Sequence, residues 1–354
     1  MGVKVLSLEW GWLFTHEDLK PPFYLTHDQG PSDHGTAVAG IYGGQHNGYG
    51  INGMAPDAEI GGIWLEDLGA NILEAITVLG PGDIYNMSIQ IGGPEGYMPV
   101  EYSPDLFAII QTGAANGVCC LEAAGNGSVN LDNPLYGDYF DPRVQNSGAI
   151  LCGAGTPNGL DGEWFTNYGE RVSLQGWGSS VVTVCCGDLQ GGDPEVLYTA
   201  GFSGTSSATP ITSGSMASLQ GQARALFGEP LTPALAEEIL SATGTAYAGT
   251  KPIGERPNLA AARERLLQGF GDVVVTVEDA QSGLPMPNMV VEILETGRLL
   301  LTGPGGQVAA QLTAGDLTFH VAGSFYHAEE SFPFTVEPGG SHEVTLLIDP
   351  LPQG

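Results

Sequence analysis

The sequence predicts an α/β domain with a mostly parallel sheet flanked by helices on both faces, followed by a small all-β sandwich domain. Up to about residue 268, short apolar runs alternate with segments of helical periodicity. This alternation is typical of a parallel sheet that is buried on both sides. From Gly269 onward the helical pattern stops, and short Val- and Leu-rich runs are separated by turn residues, as in small sandwiches. We therefore expect domains at 1–268 and 269–354.

Local patterns define the individual elements. Asp33 is a candidate cap for a helix that buries Ala37, Val38 and Ile41, because a short acidic side chain can accept from the free N–H groups of a first turn. The first domain is further expected to contain strands at 3–8, after 54–60, at 83–89, at 117–126 and at 148–153, and helices at 72–79, 106–115, 206–226, 232–241 and 258–267. The second is expected to contain strands at 273–277, 290–294, 298–301, 317–321 and 344–348.

The charge balance excludes several classes of partner. The chain has 10 Lys and Arg against 40 Asp and Glu, a formal net charge of −30. Nucleic-acid phosphates and anionic membrane surfaces both require basic patches, so neither is expected as a partner. No run approaches the roughly 18 apolar residues of a membrane span, and we expect no membrane insertion.

Five cysteines occur, four of them in two adjacent pairs: Cys119, Cys120, Cys152, Cys185 and Cys186. Neither pair has the spacing of a metal or redox motif. Neighbours on a strand point to opposite faces, so each pair is expected to divide between two environments. Buried free thiols are the simplest interpretation, and the sequence leaves open whether one disulfide forms.

The residues around Ser206 form the most informative stretch. Residues 201–210 read Gly-Phe-Ser-Gly-Thr-Ser-Ser-Ala-Thr-Pro, and a helical segment follows. A single serine here is most simply a helix cap. A helix N-terminus, however, also presents free N–H groups and partial positive charge, which can stabilise an oxyanion.

Three further polar residues lie at element ends of the same domain. Glu9 follows the first strand, His34 lies in the first turn of a helix, and Asn126 follows a strand in a glycine turn. Taken alone, Glu9 is a turn carboxylate and His34 a structural histidine. Together with Ser206, the three supply the orienting acid, the base and the oxyanion donor that acyl transfer by serine requires.

At this point the sequence resembles the subtilisin-like serine proteases, over approximately residues 3–268. Residues 204–210 match the nucleophile motif G-T-S-x-A-x-P, and residues 34–40 match the histidine motif H-G-T-x-V-A-G. Residues 123–126 match the segment that carries the oxyanion asparagine, while 86–88 and 165–169 resemble two other family segments. These motifs occur in the order typical of the family.

The resemblance implies a serine endopeptidase acting on polypeptides. Ser206 would be the nucleophile, His34 the general base and acid, and Asn126 an oxyanion donor. Chemistry of this kind requires no cofactor. The pocket for the residue before the scissile bond would be flanked by two segments: Ser88, Ile89 and Gln90 on one side, and Ala123, Ala124 and Gly125 on the other. Ala124 and Gly125 suggest an open floor that admits apolar side chains.

Two residues depart from the family pattern. The family acid is normally an aspartate, whereas Glu9 occupies that place here, and its extra methylene displaces the carboxylate by about 1.5 Å. The alternatives Asp33, Glu17 and Asp18 are poorer, because Asp33 is adjacent to His34 and the other two lie beyond the strand end. Ser207 replaces a usual methionine. Because Glu9 departs from the pattern, a catalytically silent relative that binds peptides in the same cleft is the alternative function.

Other properties also rest on resemblance. The family implies secretion, with a signal and propeptide ahead of this chain, and it allows structural calcium. Four residues of one loop carry suitable hard oxygen ligands: Asn130, Asp132, Asp138 and Asp141. They match no loop motif, and a solvated acidic loop is the simpler interpretation. The C-terminal domain resembles carboxypeptidase-regulatory-like or Ig-like sandwiches, which are mostly accessory, although an adhesive role for it is a further alternative. Oligomeric state is left open by the sequence.

Overall fold

The computed structural model describes residues 2–26, 30–321 and 330–349. Its contacts divide the chain into two compact units, Met1–Ala262 and Arg263–Gly354. Within the described residues, no helix is both long enough and apolar enough to cross a membrane.

The first unit alternates strands and helices as the sequence pattern indicates. Its strands are β1 (Lys4–Glu9), β2 (Glu59–Trp64), β3 (Ile84–Met87), β4 (Ile91–Gly92), β5 (Tyr97–Met98), β6 (Cys119–Ala123), β7 (Ile150–Gly155), β8 (Val172–Trp177), β9 (Val181–Val184) and β10 (Tyr198–Phe202). Its helices are α1 (Asp33–Gly43), α2 (Leu68–Val78), α3 (Pro104–Ala115), α4 (Thr205–Phe227) and α5 (Pro233–Ala242), and α6 (Leu259–Leu266) spans the division between the units.

Six parallel strands form the central sheet in the order β2-β1-β3-β6-β7-β8. The predicted α/β architecture with a largely parallel sheet is therefore confirmed. Because parallel strands end at the same edge, the carboxyl ends of β1, β3 and β6 lie side by side. Open α/β sheets carry their sites at this edge.

The two faces of the sheet have different surroundings. One face carries a large apolar core that includes Leu6, Tyr85, Cys120 and Leu151. The opposite face packs against α1 and the long buried helix α4. Residues on β1 alternate between the faces, so Glu9 lies on the side of α1 and α4. This alternation explains why the fully buried Glu9 meets a helix rather than solvent.

The cysteines are in part as expected. Cys119, Cys120 and Cys152 are free and buried, and the first two divide between the faces: Cys119 meets Gln220 of α4, whereas Cys120 lies in the apolar core. The expectation of free thiols is wrong for the other pair, because Cys185 and Cys186 are joined by a disulfide. They follow β9 in left-handed backbone, so the strand rule that separates neighbouring side chains does not apply to them.

The expected cap of α1 is also corrected. The N-cap is Ser32, without a side-chain cap bond, and Asp33 is the first helical residue. An acidic residue in the first turn still interacts favourably with the partial positive charge of the helix N-terminus. His34 therefore lies in the first turn, as the sequence indicates.

The second unit consists of strands in two sheets. These strands are β11 (Phe270–Asp279), β12 (Val290–Ile293), β13 (Arg298–Leu301), β14 (Gln307–Thr313), β15 (Gly315–Val321), β16 (Glu330–Val336) and β17 (Ser341–Ile348). Their orders are β14-β11-β17 and β13-β12-β15-β16. Both sheets contribute to one apolar cluster, for example through Val275 and Phe319, which is the arrangement of a small sandwich.

Candidate active site

Three strand ends and two helix starts bring the polar residues together. Glu9 ends β1, Ser88 follows β3, and Asn126 follows β6, while His34 and Ser206 lie in the first turns of α1 and α4. Gly204 precedes α4 with φ of 103°, a conformation that favours glycine. A first-turn residue such as Ser206 has no intrahelical acceptor for its N–H, which is therefore available to a ligand.

The best-defined contact joins Glu9 and His34. Glu9 Oε2 lies 2.7 Å from His34 Nδ1, and the exposed side-chain fractions are 0% for Glu9 and 30% for His34. A carboxylate at this distance accepts from Nδ1–H and fixes the tautomer in which Nε2 can take a proton. The Glu9 Oε1 atom is buried and has no hydrogen-bond partner within the described residues.

Glycine at position 35 allows a close approach between α1 and the end of β1. A Cβ on Gly35 would lie 3.0 Å from Glu9 Cβ and 2.2 Å from the Gly11 carbonyl oxygen. Any larger residue at position 35 would push α1 away from the end of β1. The glycine of the histidine motif therefore allows close packing between the two elements that carry Glu9 and His34.

Burial and pairing act together on the titration of this pair. Burial raises the pKa of Glu9 above its ordinary value, although the hydrogen bond and charge of His34 oppose this. For His34, burial alone would lower the pKa, but the hydrogen bond and charge of Glu9 outweigh it and the pKa lies above its usual value. The protonated form of the imidazole is thus favoured, so the ring can hold a proton gained during a reaction.

Aromatic rings flank the histidine on two sides. The rings of Trp10 and Phe202 meet the His34 ring edge to face, with centroid distances of 5.7 and 5.5 Å. Trp10 is half exposed, at 51%. These rings pack against the imidazole from two sides, and sequence reasoning assigned no role to either aromatic residue.

Ser206 lies at the same edge but does not contact the base in this structure. Its hydroxyl donates to the Ser88 carbonyl oxygen at 3.2 Å, and no hydrogen bond joins it to His34. The hydroxyl is partly exposed, so it can rotate. Catalytic hydrogen bonds are often absent or long before substrate binds.

Asn126 is oriented by the residue before the serine. Its Oδ1 accepts from the Thr205 backbone N–H at 2.9 Å and from the Thr205 hydroxyl at 3.0 Å. Because Oδ1 is occupied, the Nδ2 group is turned away from Thr205, and it has no hydrogen bond to any residue that the structure describes. A side-chain N–H donor is therefore available beside the start of α4.

The expected pocket segments lie at the ends of the neighbouring strands β3 and β6, and their side chains differ in role. Ile89 and Ala124 belong to the apolar core, so only their backbone can face a ligand. Gln90 Oε1 accepts from the Asn126 backbone N–H at 2.8 Å, which links the two segments. Gly125 is closely packed on one side, because a Cβ there would lie 2.6 Å from Asn167 Nδ2.

The other candidate acids are engaged elsewhere. Asp18 accepts from the Asn47 side chain and from the Ile51 N–H, and Glu17 accepts from the Tyr198 hydroxyl. Asp33 precedes His34 and is exposed. Among these acidic residues, only Glu9 has a described contact with the imidazole.

The residues considered for calcium do not form a ligand shell. Asp141 is paired with the Arg143 guanidinium at 2.8 Å, and Asp132 accepts from the Glu170 N–H. Asn130 accepts from the Asp132 N–H. In the parts of the chain that the structure describes, no group of three or more His, Cys, Asp or Glu side chains could hold a metal ion. As arranged, these residues do not fit a calcium site.

Comparison with protein families gives one match that covers most of the chain. Residues 18–271 match the model described as the subtilase family. The match includes His34, Asn126 and Ser206 but begins after Glu9. The assignment of Glu9 therefore depends on its geometry.

Individual relatives support the same grouping. An intracellular serine protease of Paenibacillus polymyxa is 27% identical over 319 residues, covering 84% of this chain and 86% of that protein. The minor extracellular protease Epr of Bacillus subtilis (strain 168) is 27% identical over 222 residues, covering 59% of this chain and 30% of that protein. Fervidolysin from Fervidobacterium pennivorans, a keratinolytic enzyme related to subtilisin, has a similar structure. The TM-score is 0.57 at 21% identity, covering 97% of this chain and 60% of fervidolysin.

Proposed function

The chain belongs to the subtilase family of serine proteases, and on that premise we propose that it is an endopeptidase with a Glu9–His34–Ser206 triad. The observation that carries the proposal is the 2.7 Å contact between Glu9 Oε2 and His34 Nδ1. It supports a glutamate in the role that an aspartate usually has, because the contact provides the same tautomer control.

In the proposed acylation step, the Ser206 hydroxyl leaves the Ser88 carbonyl and turns toward His34. Its Oγ forms a bond to the scissile carbonyl carbon while His34 Nε2 takes the hydroxyl proton. The negative charge that develops on the carbonyl oxygen is stabilised by Asn126 Nδ2 and by the Ser206 backbone N–H. When the C–N bond breaks, His34 returns the proton to the leaving amine.

Deacylation repeats the same proton transfers with water. A water molecule gives a proton to His34 and attacks the ester carbon, and the Ser206 oxygen leaves and regains a proton from His34. Glu9 stays ionised and keeps the imidazolium paired in both halves of the reaction. No cofactor is needed, because groups of the protein itself supply the nucleophile, the base and the oxyanion donors.

The substrate we propose is an extended polypeptide. The segment from Ser88 to Gln90 and the segment from Ala123 to Gly125 end neighbouring strands, and a peptide could add to such edges through backbone hydrogen bonds. Residues 269–354 are proposed to be an accessory sandwich domain, because we find no catalytic set among their described residues. The polypeptide partner and the domain role are tested together by deleting residues after 268 and measuring peptide cleavage, which should persist.

We propose secretion for this protein, supported by its acidic composition and by the extracellular relative from Bacillus subtilis. The relative from Paenibacillus polymyxa is named as intracellular, so fractionation of the producing cells decides this point. Structural calcium is supported only by the family resemblance, and unfolding temperatures measured with calcium and with a chelator would test it. Equal temperatures would exclude a stabilising calcium ion.

The test of the proposed activity is hydrolysis of an internally quenched peptide by the purified chain. Ser206→Ala and His34→Ala are expected to lower kcat to a similar residual level, because residues that act as a unit give non-additive losses. Gln111→Ala, on the exposed face of α3, is the control. Full activity in Ser206→Ala would overturn the proposal, and inactivity of the folded wild-type chain would favour the silent peptide-binding alternative.

A further inference from the structure

We propose that Gln90 restricts the enzyme to peptides with a small residue, such as alanine, immediately before the scissile bond. This inference rests on the proposed endopeptidase function. It depends on the position of one amide side chain, Gln90, relative to the two segments that flank the nucleophile.

The space that a substrate side chain would enter lies beside the nucleophile. The Ser206 hydroxyl touches the Ser88 carbonyl oxygen at 3.2 Å, so the segment that begins at Ser88 lies directly beside the nucleophile. Asn126 lies beside Thr205 through its Oδ1. In a bound peptide, the scissile carbonyl carbon would face Ser206 Oγ and the carbonyl oxygen would face Asn126. The side chain of the residue before the scissile bond would then lie between the segment Ser88–Gln90 and the segment Ala123–Gly125.

The Gln90 side chain lies at the entrance to that space. Gln90 Oε1 accepts from the Asn126 backbone N–H at 2.8 Å. Because Gln90 and Asn126 belong to opposite segments, the Gln90 side chain crosses the gap between them. Gln90 is only partly exposed, and a bulky substrate side chain could enter only after this hydrogen bond is broken.

Asn167 packs against the segment that contains Ala124 and Gly125. Asn167 is fully buried, and its amide donates to the carbonyl oxygens of Tyr97 and Ala124, both at 2.7 Å. Its Oδ1 accepts from the N–H groups of Gly127 and Val129. With both ends of the amide engaged, Asn167 is fixed next to Gly125, where an added Cβ would lie 2.6 Å from its Nδ2.

The Gln90 and Asn167 side chains therefore differ in their freedom to move. Among the described residues, the Asn167 side chain has four hydrogen bonds to the backbone, whereas the Gln90 side chain has one. A large side chain would displace Gln90 and leave the Asn126 N–H unpaired, unless the substrate itself offered an acceptor. The loss of such a partly buried hydrogen bond, together with poorer fit, discriminates by about 10- to 100-fold in kcat/KM.

The experiment uses three matched peptide p-nitroanilides that differ only in the residue before the anilide: alanine, leucine or phenylalanine. The wild-type full-length chain is expected to favour alanine over phenylalanine by about 10- to 100-fold in kcat/KM. Gln90→Ala is expected to raise the phenylalanine-to-alanine ratio about 10-fold or more. Gln90→Ser is a second shortening variant, and Gln111→Ala, which removes an exposed amide on α3, should leave the ratio unchanged.

The two levels of failure can be told apart by labelling with a fluorophosphonate that reacts with activated serines. If Ser206 is labelled but wild-type kcat/KM is nearly the same for the phenylalanine and alanine substrates, the restriction by Gln90 is refuted. It is also refuted if Ser206 is labelled and the ratio of these two values does not change in the folded Gln90 variants. In both cases the proposed protease function remains. If Ser206 is not labelled and no anilide is cleaved, the proposed function fails, and the inference about Gln90 fails with it.

Discussion

Shortening Glu9 to aspartate tests whether this site is built for a longer acid. In the structure, Glu9 Oε2 lies 2.7 Å from His34 Nδ1. Removing one methylene withdraws the carboxylate by about 1.5 Å. If the backbone stays in place, the separation becomes roughly 4.2 Å, which exceeds hydrogen-bond range. Glu9→Asp therefore converts the residue to the usual family acid and yet should impair catalysis.

The expected loss is about 10²-fold in kcat, the typical effect of a displacement near 1 Å within a catalytic set. The backbone has little means of compensating by inward movement, because Gly35 already brings α1 against Glu9 Cβ. The assay is steady-state hydrolysis of a peptide substrate, normalised to the concentration of folded protein. Glu66→Asp is the control, since Glu66 is an exposed carboxylate just beyond β2. Activity of Glu9→Asp equal to or above wild type would refute the claim that the length of Glu9 is matched to the site.

Three further predictions concern pH and the oxyanion. Because the pKa of His34 is raised by Glu9 against the opposing effect of burial, the acid limb of kcat/KM should lie above pH 6.5. Glu9→Gln should move this limb to lower pH and cost orders of magnitude in kcat; an unmoved limb would mean that another group sets the pKa of His34. Burial, with the nearby charge of Glu101, raises the pKa of Glu122 to about 8. A raised acid pKa stabilises the fold at low pH, and this stabilisation is lost as the pH rises from about 4.5 to about 8. Glu122→Gln should therefore reduce the slope of the free energy of unfolding against pH in that window by at most about 1.4 kcal/mol per pH unit. Urea titration at several pH values measures this slope, and parallel curves for the two proteins would contradict the prediction. Asn126→Ala should lower kcat about 10²–10³-fold with little change in KM, the usual cost of one oxyanion donor, and a change in KM alone would indicate a role in binding only.

Much of the first unit could be predicted because its local signals agree with each other. The apolar run that ends at Glu9, the helix that begins near His34 and the glycine turn before Asn126 each have a clear pattern, and parallel connection brings their ends to one edge. In the second unit, β14 and β16 were missed. The sequence of β14 is rich in alanine and glutamine, and β16 contains Pro333, which a strand tolerates at the edge position that β16 has in its sheet.

The features that could not be predicted depend on contacts between distant segments. Gln90 and Asn126 are 36 residues apart, and the reach of the Gln90 side chain is not encoded in either local motif. The same is true of Asn167, whose segment resembles a family motif but whose four hydrogen bonds require the folded loop. The sequence left open whether a disulfide forms, and the bond between Cys185 and Cys186 occurs where both residues have left-handed backbone, a conformation that non-glycine residues seldom adopt.

The most direct test of the triad is covalent labelling of Ser206. The wild-type chain would be treated with a fluorophosphonate and examined by intact mass and then by peptide mapping. We predict a single adduct on the peptide that contains Ser206, absent from His34→Ala and formed much more slowly in Glu9→Gln. An adduct that forms equally fast in His34→Ala, or no adduct on folded wild-type protein, would contradict a serine activated by the Glu9–His34 pair.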